Sequence, residues 1–178
     1  MKKIAIVLVV CVGLWYYFIG GRKLDETMVR QYYEQSARAM LARDADLMCK
    51  QISRKVVIES KTVMMGQSVD SSHDYKEACE AQHKSFEMLQ EVGNRSGGVL
   101  ALEFDYHLDA IDVAANRKSA TITGTQVLNM GPMMQFKTSF THRLERELGN
   151  VRLVRSDDVT VVRMGGAGAM RQSDFFRK

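Results

Sequence analysis

Two cysteines of this 178-residue sequence lie outside its N-terminal apolar run, and their spacing admits two kinds of chemistry. In an oxidising compartment, Cys49 and Cys79 would form a disulfide that links two predicted helices across a weakly constrained loop. Cys79 and His83 are also four residues apart on one predicted helix face, which is the spacing of half a metal site. Because no second half-site of matching spacing follows, we predict a disulfide and no metal.

A methionine cluster offers a second possible metal site. Met130, Met133 and Met134 could supply thioether ligands to Cu(I), which is a soft cation. The chain contains 12 methionines, however, and this residue commonly fills hydrophobic cores. No nucleotide-binding glycine loop, zinc-protease helix or nucleophile elbow occurs either, so no cofactor is predicted.

Candidate proton-transfer residues can be sorted by the face of a predicted strand that they occupy. From Leu100 to Ala110 apolar and polar residues alternate, so that Phe104, Ala110 and their apolar partners face one way. Asp112 is in phase with this apolar set, but it lies at a turn where water reaches it. His142 is in phase with Phe140 on a later strand. Neither is a buried acid with the raised pKa that marks acid–base catalysis, and we predict no enzymatic activity.

The N-terminal apolar run predicts a membrane anchor. Residues 4–19 carry no charge, and a helix of that length is at the short end of what spans a bilayer core. Lys2 and Lys3 precede the run and favour a cytoplasmic N-terminus. Aromatic residues at its outer end are typical of the headgroup layer: Trp15, Tyr16, Tyr17 and Phe18. A cleaved signal peptide and lipid attachment at Cys11 are alternatives, although bulky residues precede either site.

The distribution of charge argues against nucleic acid as a partner. The net charge is +4, yet Lys2, Lys3, Arg22 and Lys23 flank the apolar run. The chain has 25 basic and 21 acidic residues, so the part without those four is neutral. A neutral domain lacks the electrostatic footprint that binds phosphate backbones, and we predict no nucleic-acid partner.

Helix signals are most frequent in the segment that directly follows the anchor. Asp25 is a predicted N-cap followed by apolar residues at helical spacing, and Asp44 restarts a short helix. Ser71 and Asp74 resemble a capping box before a longer helix. The predicted strand and long helix of this region lie at 55–64 and 74–92.

The second half of the chain has the two-residue period of β-strands. Tight turns at 116–117, 131–132 and 149–150 separate four long strands, which predict an antiparallel meander. The predicted fold class is therefore α+β, with helices followed by a curved antiparallel sheet. The chain divides into an anchor with hinge (1–24), an extracytoplasmic domain (25–163) and a flexible tail (164–178).

The order of elements resembles the nuclear-transport-factor-2-like (NTF2-like) superfamily in its SnoaL-like form. The stretch VRQYYEQSARAMLARDADLMCKQISRKVVIES resembles that family's opening helices and first strand, and NVRLVRSDDVTVVR resembles its last strand. The resemblance covers 26–163 and implies a curved antiparallel sheet that N-terminal helices wrap into a cone-shaped cavity. Tyr32 or Tyr33 would then lie where isomerase-like members carry a tyrosine donor, and Tyr33, Asp112 and His142 are the candidate catalytic residues.

Members of this superfamily include isomerases, small-molecule binders and scaffolds. We predict a non-enzymatic, membrane-anchored scaffold or adaptor of an envelope assembly, with its domain on the periplasmic side of the inner membrane. Its expected partners are the membrane, through the N-terminal helix, and envelope proteins or a second copy, through the sheet. The alternatives are an isomerase-like enzyme and a binder of a small apolar ligand, whose cavity would be lined by Tyr33, Phe104, Tyr106, Phe136 and Phe140.

Overall fold

The computed structural model describes residues 6–13, 23–95, 102–131 and 134–165. Residues 6–13 form a helix, α1, which belongs to the predicted anchor. None of the described helices is both long enough and apolar enough to cross a membrane. The predicted interfacial aromatics at 15–18 and the tail from residue 166 lie outside the described residues, so both stay predictions.

The described part of the chain contains three further helices, α2 (Glu26–Ala42), α3 (Ala45–Lys50) and α4 (Tyr75–Arg95). Asp25 accepts a hydrogen bond from the backbone N–H of Met28 at 2.9 Å, as predicted for an N-cap. Asp44 caps α3 in the same way through the N–H of Leu47, also at 2.9 Å. Between the two helices, Arg43 adopts a left-handed backbone with φ 56°, which ends α2.

Helix α4 begins with a capping box that differs from the predicted one. Asp74 accepts a hydrogen bond from the N–H of Glu77 at 2.9 Å, and the carboxylate of Glu77 accepts one from the N–H of Asp74 at 3.2 Å. Ser71 takes no part in the box, because it lies in a strand where its hydroxyl pairs with that of Ser60 at 2.8 Å. The predicted pair of Ser71 and Asp74 is therefore wrong: Asp74 opens the capping box.

Among the described residues, six strands form a single mixed sheet. They are β1 (Ile52–Met64), β2 (Gln67–His73), β3 (Leu102–Val113), β4 (Ser119–Met130), β5 (Met134–Glu147) and β6 (Asn150–Met164). Their order across the sheet is β2-β1-β6-β5-β4-β3. The predicted meander from β3 to β6 is confirmed, since each successive pair is antiparallel. The prediction of a wholly antiparallel sheet is wrong, because β1 joins β6 in parallel.

Strand β2 is the one that the sequence pattern missed. It pairs with β1 through a two-residue turn at Met65 and Gly66, which have φ values of 52° and 80°. A turn with two positive φ values matches the right-handed twist of a hairpin. Most side chains of β2 are polar and exposed, so the segment lacks the apolar alternation by which a strand is recognised.

A β-bulge in β3 changes the face that its last residues occupy. The register between β3 and β4 shifts between Leu108 and Ala110, which leaves Asp109 as the extra residue. Beyond the bulge Ile111 packs against the core, whereas Ala110 and Asp112 are exposed. The predicted inward phase of Ala110 and Asp112 is therefore wrong.

The main core lies between α2 and one face of the sheet, which we call the inner face; the opposite face is the outer face. Helix α2 contributes Val29 and Tyr33 to this core, at the spacing of one helical turn. The sheet contributes Ile122 from β4 and Leu144 from β5, both fully buried. Residues that alternate with these two on their strands point to the outer face.

Candidate functional site

A buried hydrogen bond joins α2 to the inner face of the sheet. The hydroxyl of Tyr33 lies 2.8 Å from Nδ1 of His142, and the exposed fractions of the two residues are 5% and 9%. His142 is in the middle of β5, where its neighbours across the sheet are Ile122 and Ser156. The helical spacing of α2 and the alternation along β5 thus bring two of the predicted candidates together.

The polar chain continues from His142 into β6. Nε2 of His142 lies 3.3 Å from Oδ1 of Asp158, and the hydroxyl of Ser156 donates to Oδ2 of Asp158 at 2.8 Å. The contact between His142 and Asp158 lacks the geometry of a hydrogen bond. Within the described part of the chain, Oδ1 of Asp158 is buried and accepts no hydrogen bond. The inner face therefore carries a carboxylate oxygen with unused capacity, which is uncommon among buried polar atoms.

Burial fixes the protonation state of Tyr33. Removal from water, with smaller contributions from Tyr32 and from the charge of Asp158, raises the pKa of Tyr33 far above its usual range. The phenol therefore stays neutral, and it shares a hydrogen bond with Nδ1 of His142. The other ring nitrogen of His142, Nε2, faces the carboxylate of Asp158.

Aromatic rings pack against Tyr33. Its ring centroid lies 5.8 Å from that of Tyr106, 5.7 Å from that of Phe140 and 5.9 Å from that of His142. Phe140 also stacks on His142, with 4.2 Å between their centroids. Gly124 leaves the space for Phe140, because a Cβ atom there would lie only 2.7 Å from the far end of that ring.

The five residues predicted to line a cavity differ in burial. Tyr33 and Phe140 are part of the filled core. Phe104, Tyr106 and Phe136 are half-buried on the same inner face. Phe104 of β3 and Phe136 of β5 pair with Leu128 of β4 from its two sides. The inner face thus combines a packed aromatic core around Tyr33 with a more accessible aromatic rim.

The acid that joins Tyr33 and His142 is not the predicted one. Asp112 is exposed beyond the bulge of β3, whereas the polar partners of His142 are Tyr33 and Asp158. Asp158 occupies that place, at an inward position of β6. Strict alternation backward from the buried Val162 would have placed Asp158 on the inner face.

Comparison with solved structures identifies the architecture. A conserved protein from Planctomyces limnophilus aligns with a TM-score of 0.58 over 78% of this chain and 98% of its own, at 14% sequence identity. An NTF2-like protein of unknown function from Pseudomonas putida aligns with a TM-score of 0.54 over 75% of this chain and 84% of its own, at 13% identity. The chain has an NTF2-like fold. A ketosteroid isomerase-like protein from Erwinia carotovora atroseptica aligns with a TM-score of 0.50 over 75% of this chain and 94% of its own, at 10% identity.

At these identities the likeness shows the fold and leaves the activity open. No protein-family model matches the sequence, and no curated protein matches it. The predicted resemblance to the NTF2-like superfamily is thus confirmed for the fold.

The predicted disulfide of the NTF2-like domain, between Cys49 and Cys79, is confirmed. It joins α3 to α4 across a sequence separation of 30 that includes the β1–β2 hairpin. His83, considered above as half a metal site with Cys79, lies 3.4 Å from a carboxylate oxygen of Asp46. Among the described residues, no group of three or more His, Cys, Asp or Glu side chains is placed to hold a metal.

The outer face of the NTF2-like domain carries an open groove of about 770 Å³. It crosses β2, β1, β6 and β5, and most of its lining side chains point away from His142: Glu59, Lys61, Asp70, Ser72, Ser139, Thr141, Asp157 and Val159. Arg155, on the same face, donates to Asp157 at 2.8 and 2.9 Å and to Glu59 at 3.0 Å. The hydrogen bonds from Arg155 hold the pKa of the Asp157 carboxyl below its usual range. This surface is therefore mixed in charge.

Proposed function

We propose that the inner face binds a small molecule with an apolar body and a hydrogen-bond donor such as a hydroxyl group. The observation that carries this proposal is Oδ1 of Asp158, which is buried and accepts no hydrogen bond within the described residues. An unpaired buried polar atom costs about 1–3 kcal/mol, and a donor on the ligand would offset that cost. The half-buried rings of Phe104, Tyr106 and Phe136 offer an apolar surface on the same face.

The function we propose is binding without catalysis. Nδ1 of His142 is engaged by Tyr33, and Nε2 faces Asp158, so both ring nitrogens are directed at protein groups. The raised pKa of Tyr33 makes its phenol a poor acid towards a ligand. This arrangement supports recognition by a fixed acceptor, which does not require proton transfer.

The proposal places the domain on the periplasmic side of the inner membrane, anchored by residues 4–19. The disulfide supports this location, because disulfides form and persist in oxidising compartments. Lys2 and Lys3 favour an orientation with the N-terminus in the cytoplasm. The inner-face site would then be held outside the cytoplasm, close to the membrane surface.

Two matched probes test the binding site. We expect the full chain, held in amphipol, to bind 2-naphthol more tightly than naphthalene, because only 2-naphthol has a donor for Asp158. The substitution Asp158→Asn should weaken 2-naphthol binding about tenfold to hundredfold, since a charged acceptor contributes about 1.5–3 kcal/mol. Naphthalene binding should be unchanged. Fluorescence titration, with the signal of empty amphipol subtracted, measures each dissociation constant.

The matched control is Asp157→Asn, which makes the same chemical change one residue away, on the outer face. This variant should bind 2-naphthol as the unmodified chain does. Equal affinities of Asp158→Asn and the unmodified chain for 2-naphthol would refute the assigned acceptor. A complete lack of saturable 2-naphthol binding would refute the proposed site.

A second candidate function is that of a scaffold in an envelope assembly, and the outer-face groove supports it. The groove presents Val159, which is 46% exposed, together with Glu59 and Asp157, which are ion-paired with Arg155. A surface that mixes apolar and charged groups suits a protein partner or a second copy of the chain. An anchored domain also meets neighbouring membrane proteins at a raised effective concentration.

Photo-crosslinking in native membranes tests this second function. A photoreactive residue in place of Val159 should give discrete adducts, which mass spectrometry identifies. The same residue in place of Lys76, an exposed position of α4, should give none. Monomer alone from the Val159 position, or identical adducts from both positions, would count against a scaffold that acts through the outer face.

A further inference from the structure

A separate cavity, of about 490 Å³, lies where α2 begins, α3 ends and β5 turns into β6. Among the described residues that line it, three are basic, Lys50, Arg146 and Arg152, and none is acidic. Carboxamide side chains, including that of Gln51, make up much of the remaining polar lining. The cavity is therefore cationic and rich in hydrogen-bond donors.

Arg152 is only loosely neutralised by the protein. Its Nε atom is buried and has no hydrogen-bond partner in the part of the chain that the structure describes. The carboxylate of Glu147 lies 4.0 Å from this atom. That carboxylate is already shared, because Ser53 donates to it at 3.0 and 3.2 Å and Lys55 pairs with it at 3.2 Å. The guanidinium of Arg152 thus retains capacity for a second anion.

Gln51 adds a buried amide to the same wall. The residue is 7% exposed, and its Oε1 atom lies 2.8 Å from the hydroxyl of Ser36. Its Nε2 atom is buried and has no partner among the described residues. Buried polar groups are normally paired, so an unpaired amide in a cationic cavity indicates a wall suited to a polar ligand.

The cavity also lies beside the point where the chain enters the domain. Arg146 donates a hydrogen bond to the carbonyl oxygen of Lys23 at 2.8 Å. The apolar run of the sequence ends at Ile19, four residues earlier, and four extended residues span at most about 14 Å. With residues 4–19 in a bilayer, this end of the domain is within reach of lipid headgroups.

We propose that this cavity binds a phosphate group, either that of a lipid headgroup or a free phosphate. Its donors come from separate walls, Lys50 and Gln51 at the end of α3 and Arg152 on β6. Phosphate oxygens point in several directions and meet such donors better than the two coplanar oxygens of a carboxylate. A guanidinium fork and a lysine point charge are both common phosphate ligands. The lipid source rests on the anchor proposed above, whereas the binding of free phosphate does not.

The first experiment titrates the full chain, in a neutral maltoside detergent, with inorganic phosphate. We expect saturable binding that Lys50→Gln and Arg152→Gln each weaken about tenfold or more. Lys50 is exposed, so its substitution tests the site even where that of Arg152 impairs folding. The control Lys76→Gln removes an exposed charge on α4 and should bind phosphate as the unmodified chain does. Calorimetry measures the dissociation constants.

The second experiment separates the two sources of phosphate. The same proteins are placed in nanodiscs of phosphatidylcholine with or without phosphatidylglycerol, and native mass spectrometry measures the lipid that remains bound on release. If the unmodified chain retains phosphatidylglycerol and Lys50→Gln retains about tenfold less, the bound phosphate is that of a lipid headgroup. Phosphate binding without lipid retention supports a free phosphate. A lack of saturable phosphate binding together with no lipid retention would overturn the proposal, and so would equal binding by Lys50→Gln and the unmodified chain.

Discussion

Replacing Gly124 with alanine should lower the free energy of unfolding by about 3 kcal/mol, at the upper end of the usual cost of overpacking. A Cβ atom at this position would overlap the carbonyl oxygen of His107 and lie 2.7 Å from the ring of Phe140. Because His107 contributes a backbone atom of the adjacent strand, no change of rotamer relieves the overlap. Phe140 stacks on His142, so the inner-face site should be displaced as well. Denaturant unfolding measures the change.

The matched control for this variant is Gly93→Ala. The nearest side-chain atom to a Cβ at Gly93 belongs to Arg43, at 3.8 Å, which is an ordinary contact. Alanine is favoured over glycine in a helix by about 1 kcal/mol, so this variant should be as stable as the unmodified chain or more so. Equal stability of Gly124→Ala and the unmodified chain would contradict the close approach of Gly124 in β4 to the backbone of His107 in β3.

Removing the disulfide should lower the free energy of unfolding by a similar or larger amount. The double substitution of Cys49 and Cys79 by serine frees a loop of 30 residues in the unfolded chain, and closure of such a loop is worth about 3–4 kcal/mol. The loss should loosen the six-residue helix α3, which the disulfide ties to α4. Thermal or denaturant unfolding under non-reducing conditions measures the change.

Cys11→Ser provides the control for the disulfide, since it makes the same chemical change at a free cysteine. It should leave the stability of the domain unaltered. In native membranes Cys49 and Cys79 should resist alkylation until a reductant is added. If both thiols react freely in the folded, non-reduced protein, the disulfide is absent in the cell and the argument for a periplasmic location is lost.

Elements that depend on local signals could be predicted from the sequence. The carboxylates of Asp25 and Asp44 cap the helices that follow them, and both interactions are made within three residues. The meander from β3 to β6 was predictable for the same reason, because the two-residue period and the intervening turns are properties of each segment alone.

Features set by two strands together could not be predicted. The parallel pairing of β1 with β6 joins segments far apart in sequence, and no local pattern specifies it. Register irregularities at Asp109 and Val154 each displace the pairing by one residue, which turns the following side chains to the other face. The first irregularity moves Asp112 out of the candidate site. The second changes the phase within β6, so the inward position of Asp158 follows only from counting back from the end of the strand and not from its start.

The position of bound 2-naphthol tests the central claim, an inner-face binding site, most directly. Intermolecular nuclear Overhauser effects between the ring protons of 2-naphthol and the full chain report which side chains it contacts. We expect contacts to Phe104, Tyr106 and Phe136, and their loss in Asp158→Asn. Contacts confined to the outer-face groove, at Val159 for example, would contradict an inner-face site, as would the absence of any contact at saturating 2-naphthol.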